Sequence, residues 1–193
     1  MQLTSNILNN RNGFERTPSF FCEIPLCVTP AQARRLNVRL KAARQVYNAC
    51  LGEAFKRARL LKERRVYRKA CQLPRGEART AAFGTARQSV AFTDAALQRY
   101  AVRLRQRAFQ AHLDVHVAQK LASRAFKAVD AWLLGQRGRP RFKGRRQMDA
   151  VEGKSNHAGI RWRGGAVEWK GLVLPAIMDL RDPVVAHALG SSP

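Results

Sequence analysis

The feature that most restricts this chain is where its charge lies. Between Arg34 and Arg146 there are 29 basic and 6 acidic residues, whereas the rest of the chain holds 7 of each sign. The whole formal excess of +23 therefore belongs to one central segment. A folded segment of that density repels itself unless an outside polyanion neutralises it. One run spans Arg39, Lys41, Arg44, Lys56, Arg57, Arg59, Lys62, Arg64, Arg65, Arg68 and Lys69, and a second spans Arg137 to Arg146. Arginine outnumbers lysine 27 to 9, which suits bidentate phosphate contacts and stacking on bases, although a GC-rich genome accounts for part of the ratio. With 46% hydrophobic residues among 193, the chain has enough apolar material for a core, so the charge does not imply disorder.

Membranes are the rival polyanion. No uncharged apolar run approaches the roughly 20 residues that cross a bilayer, and the longest, Leu172 to Met178, is far too short. The apolar stripes of the basic helices have core spacing rather than the exposed aromatics of an interfacial helix. The N-terminus has no apolar stretch of signal-peptide type. Cys22, Cys27, Cys50 and Cys71 lie among apolar neighbours with no C-x-x-C spacing, and are expected to be small buried thiols. A soluble intracellular protein with a polyanionic partner follows as an expectation.

Along the chain, residues 1–19 read as a flexible tail. Residues 20–29 contain FFCEIPLCV, of strand composition, and Pro25 suits an edge. Thr29-Pro30 is a helix start. Leu36, Leu40, Ala43, Tyr47, Cys50 and Ala54 then recur every three or four residues, predicting a long helix to about Arg65. Shorter helices are predicted over 77–90, from a Thr93 cap to about Phe109, and from about Ala111 to Leu134, where Gly135 and Gly138 end the pattern. After a Gly/Pro-punctuated basic loop, Ile160 and Trp162 alternate into a Gly164-Gly165 turn and out through Val167 and Trp169, a hairpin, with Leu172 to Leu174 a possible third strand. The fold class is α+β. A helical block, 30–136, is inserted between pieces of one small sheet or barrel, 20–29 and 137–180, and 181–193 is a disordered tail.

Among local motifs, GRPRFKG at Gly138–Gly144 is the sharpest. Its cations are expected to meet phosphate, while Phe142 either stacks on a base or packs inward. GKSN at Gly153–Asn156 is not a P-loop, because Met148 occupies the place of the required glycine, but Lys154 and Asn156 remain polar contacts to nucleic acid. His112 and His116 have a metal-compatible spacing without a third ligand. No carboxylate constellation, Ser/His/Asp set or dinucleotide fingerprint is legible, so no catalytic residue, metal or cofactor is expected.

Several segments together resemble the N-terminal half of the TnpB (OrfB) proteins of insertion sequences, RNA-guided DNA endonucleases also described as transposases. The resemblance covers about 20–178. It rests on EIPLCVTPAQARRL, RLKAARQVYNACLGEAFKRA with Tyr47-Asn48, and the run from AQKLASRAFKAVDAW through PRFK at Pro140–Lys143 to VEWKGLVLPAI. It implies a split oligonucleotide-binding barrel, the wedge, interrupted by a helical recognition domain holding guide RNA and the RNA–DNA heteroduplex. It also implies a RuvC-like nuclease and a zinc ribbon C-terminal to these parts. Neither has a counterpart in this sequence, and the ending HALGSSP reads as a frameshift or premature stop. The expectation is a nucleic-acid-binding, non-cleaving fragment. Arg137, Arg139, Arg141, Lys143, Arg145 and Arg146 would contact backbone phosphates, and Arg44, Lys56, Arg59, Lys62 and Arg65 would line a groove over a duplex. The alternatives are a ribosome-associated RNA-binding protein, an RNA-guided repressor, and the poorly folding product of a decayed gene.

Overall fold

A computed structural model of the protein describes residues 22–179, 181–183 and 185–186. The chain divides into a main unit, Leu26–Ala176, and a smaller unit formed by Met1–Pro25 and Ile177–Pro193. The expected tail over 1–19 lies outside the described residues, as do Phe20 and Phe21.

The long helix starts where its cap dictates. Thr29 Oγ1 accepts from Gln32 N at 3.3 Å, and Gln32 Oε1 accepts from Thr29 N at 2.9 Å. That reciprocal capping box precedes Pro30, whose fixed φ suits the first helical position. Helix α1 then runs Pro30–Glu63, a length of about 50 Å. It ends at Arg64, in extended conformation, where the Arg68 guanidinium takes the Glu63 carbonyl at 3.0 Å. A separate short helix, α2 (Arg65–Gln72), follows, so the basic run is split between two helices. Helix α3 (Glu77–Ser89) packs on α2 through a Tyr67–Phe83 edge contact, centroids 5.4 Å apart. Helix α4 (Asp94–Leu104) is capped by Thr93, and its last turn widens into a π-helical turn over Arg105–Phe109. The Arg105 guanidinium there donates to the Leu113 carbonyl at 2.8 Å.

Helix α5 (Val115–Leu133) begins four residues later than the periodicity predicts. The reason is Asp114, whose Oδ1 accepts from Val117 N at 2.9 Å as an N-cap. His112 thus precedes the helix and His116 lies within it, so the metal-compatible helical spacing does not exist. Gly135, at φ 70°, supplies the left-handed residue that ends α5.

The core is the α1–α5 seam, with α4 against it. Ala43, Val46, Cys50, Ala54, Ala58 and Leu61 of α1 face Val117, Leu121, Ala122, Ala125 and Val129 of α5, all buried. So many alanines let the two helices approach closely. The Arg87–Asp130 ion pair, 2.7 Å, ties α3 to α5.

Three antiparallel strands follow, in the order β1 (Ile160–Arg163), β2 (Ala166–Trp169), β3 (Leu172–Pro175). The hairpin and its third strand are as the alternation predicts. The rung Ile160–Trp169–Leu172 and the rung Trp162–Val167–Leu174 put the apolar side chains on one face. Among the described residues the sheet is open, not a closed barrel. Among the described residues of the strand expected over 20–29 there is one bridge, Leu26 opposite Ala176. Cys27 N donates to Pro175 O at 2.7 Å, but Pro175 has no N–H to return the bond. In the smaller unit Ile177 N donates to Pro25 O at 2.8 Å, and Pro25 is equally unable to reciprocate. Also in that unit, Ala186 N donates to Asp182 O at 2.9 Å, and of the tail expected over 181–193, Val184 and residues 187–193 lie outside the described residues.

The cysteine expectation fails in part. Cys50 is buried, Cys22 half-buried, and Cys27 and Cys71 exposed, all as free thiols.

Candidate nucleic-acid interface

Two hydrogen bonds build the site. Asn48, midway along α1, donates through Nδ2 to Lys143 O at 2.9 Å and accepts at Oδ1 from Lys143 N at 2.8 Å. They pin a strap, residues 137–148, along α1 in the opposite direction; it is extended up to Gly144 and then turns at Arg145–Arg146, where Gln147 N donates to Gly144 O at 3.2 Å and Arg146 has φ 67°. Arg139 lies by Phe55, Lys143 by Asn48, and Arg145 by Lys41 and Arg44. Phe55 to Lys41 is about 21 Å of helix, and Arg139 to Arg145 about 20 Å of extended chain, so helix and strap stay in step. Met148, 5% exposed, anchors the far end in the core.

Three clefts result along the strap. At one end Lys41 and Arg44 face Arg145 and Arg146 around a cleft of about 450 Å³. In the middle Tyr47, Arg124, Arg137, Arg141, Lys143 and Gln147 line about 310 Å³. At the other end Lys56, Arg59, Lys62 and Arg139 surround Phe55 and Trp132 in about 630 Å³. Among the described residues no carboxylate lies within ion-pair distance of any strap cation; the ion pairs present are elsewhere. The strap therefore presents uncompensated positive charge, the condition for phosphate binding.

The middle cleft has a buried floor. Tyr47 is 4% exposed, with the Arg124 guanidinium 5.9 Å from its ring centroid. Burial pushes the Tyr47 phenol above its ordinary value, opposed by Arg124 and Arg137, so it keeps its proton and can donate.

Several sequence-predicted residues have other work. Asn48 spends its amide on the strap, making it a positioning residue. Asn156 spends its own on the β1 backbone, donating to Trp162 O at 3.2 Å and accepting from Trp162 N at 2.5 Å. Lys154 reaches Gln119 Oε1 at 3.2 Å and lines a further cleft with Lys120, Lys127 and Arg137. Arg65 is exposed at the start of α2 and lines none of the three clefts. Phe142 neither enters the core nor stands free: it is 55% exposed, edge-on to Phe55 with centroids 6.2 Å apart.

Two arginines of the first basic run leave the charged face altogether. Arg57 is held by Glu53 at 2.8 Å and by the Ala91 carbonyl at 2.8 Å. Arg39, 8% exposed, donates to the carbonyls of Trp169 and Lys170 and lies over the Trp169 ring. Trp169 Nε1 donates to Asp114 Oδ2 at 2.8 Å, so α1, the sheet and the α5 cap share one network.

Sequence reasoning missed Arg124, Phe55 and Trp132. Phe55, Arg59 and Lys62 lie at i, i+4 and i+7 on one face of α1, a signal that was available. The pairing of Trp132 with that face needed the α1–α5 seam. Among the described residues no three His, Cys, Asp or Glu side chains gather as metal ligands. No helix among them is long and apolar enough to cross a membrane.

Fold and cleft define an α+β protein with a cation-lined strap laid along its longest helix. No protein-family model matches the chain, and neither the curated proteins nor the solved structures contain a match.

Proposed function

We propose that this protein binds nucleic acid along the α1–strap clefts. In this reading it corresponds to the wedge and recognition parts of a TnpB-like protein, holding guide RNA and an RNA–DNA heteroduplex by their phosphates without cutting either. The observation that carries the proposal is the run of strap cations unpaired by any described carboxylate and held in register with α1 by Asn48. Cations, amides and rings line these clefts, groups that grip phosphate and base. The bridge between Leu26 and Ala176, which brings the chain before α1 to the end of β3, supports a wedge split by the helical block. The compartment in this reading is the bacterial cytoplasm, at the nucleoid.

The test is to purify the protein from cells carrying its flanking DNA and to sequence the RNA that comes with it. One abundant RNA from the adjoining locus is the expected result. Ribosomal RNA in its place favours the ribosome-associated alternative, and protein free of RNA overturns the guide-RNA reading. An RNA-guided repressor would give the same RNA and is distinguished by loss of transcription at a matching promoter.

A further inference from the structure

We propose that the cleft between Phe55, Trp132 and Arg139 is a seat for one unpaired nucleotide, so that the groove ends on single-stranded rather than duplex nucleic acid. This inference rests on the nucleic-acid reading above.

The clefts at the two ends of the strap differ in kind. The one around Arg44 and Arg145 is cationic, with no aromatic side chain in its lining, and suits backbone phosphate. The one at the Arg139 end has an aromatic floor: Phe55 and Trp132 meet edge to face with centroids 5.7 Å apart, and Phe142 adds a third ring against Phe55. Its cations are laid over those rings. Lys62 Nζ is 4.9 Å from the Trp132 centroid, and the Arg139 guanidinium is 4.9 Å from Phe55 and 6.0 Å from Trp132. Lys56 and Arg59 stand at the rim.

The interior of a duplex cannot use such a floor, because its bases are stacked on one another and show only their edges in the grooves. An unpaired base can. Rings and a guanidinium plane accept any base face, while Lys56, Arg59 and Lys62 take its phosphates. The volume of about 630 Å³ is in the range of small-ligand sites. The Gly135 turn fixes the strap's entry immediately beyond Trp132, so Arg139 folds back over the rings.

The experiment compares four fluorescent 12-nucleotide probes on the full chain: single-stranded RNA, single-stranded DNA, duplex RNA, and a single strand carrying abasic sites. Trp132→Leu is expected to weaken the intact single strands about tenfold and leave duplex and abasic binding unchanged. Phe142→Leu, at an exposed position, removes the third ring without removing a cation and is expected to weaken the intact single strands while leaving duplex and abasic binding unchanged, so a folding defect in the first variant does not decide the matter. Wild-type protein should itself bind the abasic strand about tenfold more weakly than the intact one. Equal binding of intact and abasic strands, or equal losses on duplex and single strand, overturns the nucleotide seat and leaves the phosphate clefts standing. No binding to any probe overturns both. A difference confined to RNA or to DNA assigns the sugar that the seat accepts.

Discussion

Replacing Asn48 with alanine tests the element on which the interface depends. The substitution deletes both hydrogen bonds that hold Lys143 to the middle of α1. At about 0.5–1.5 kcal/mol per bond the loss is about 1–3 kcal/mol. Alanine is the better helix former and returns about 0.6 kcal/mol. The net cost is therefore about 0.4–2.4 kcal/mol, which for a chain of this size lowers the melting temperature by about 1–10 °C. Local opening should exceed global loss, because the strap has few other backbone bonds. Limited trypsin digestion with mass-spectrometric mapping reads this directly. Cleavage after Arg141 and Lys143 should accelerate several-fold, whereas sites within α5, such as Arg124, should not change. Asn48→Asp keeps an acceptor for Lys143 N but has no donor for Lys143 O and sets a carboxylate against that carbonyl, so it should also accelerate cleavage at the strap. Wild-type cleavage rates at the strap in both variants would refute the clamp.

Two further outcomes follow from buried groups. Arg39→Met keeps the alkyl stem but leaves the Trp169 and Lys170 carbonyls without their donor, and should cost about 2–4 kcal/mol in a urea titration, while Arg35→Met, at an exposed position, should stay within about 0.5 kcal/mol. Burial pushes the Cys50 thiol up to about 12, so a thiolate-directed reagent at pH 8 should label exposed Cys27 and Cys71 promptly, and Cys50 only as the protein unfolds; prompt labelling of all four refutes the α1–α5 packing.

What was legible in the sequence followed from local chemistry. The Thr29-Pro30 helix start, the spacing of Ala43 to Ala54, the Gly164-Gly165 turn and the alternation around Trp169 each act within a few residues, and the structure has α1, the hairpin and β3 there. What was not legible needed partners distant in sequence. Arg39 counts as one more surface cation until the sheet supplies two carbonyls 130 and 131 residues away. Asn48 reads as a contact to ligand until Lys143, 95 residues on, takes both ends of its amide. At the start of α5, Asp114 caps through Oδ1, a local contact that the apolar periodicity alone overlooks, while its Oδ2 accepts from Trp169, 55 residues on, which no local pattern shows. For the strap, the cation pattern was visible and its course along α1 was not. Composition does not say which residue will pin an extended segment.

The most direct test of the central claim is the salt dependence of nucleic-acid binding by the wild-type chain and by a variant with Arg139, Arg141, Lys143, Arg145 and Arg146 all changed to glutamine. Neutralising about six phosphates predicts a slope of about −4 to −5 in log Kobs against log salt for the wild type. The variant should retain its helices by circular dichroism and lose most of that slope. A wild-type slope near zero, or a variant slope equal to that of the wild type, would contradict the account.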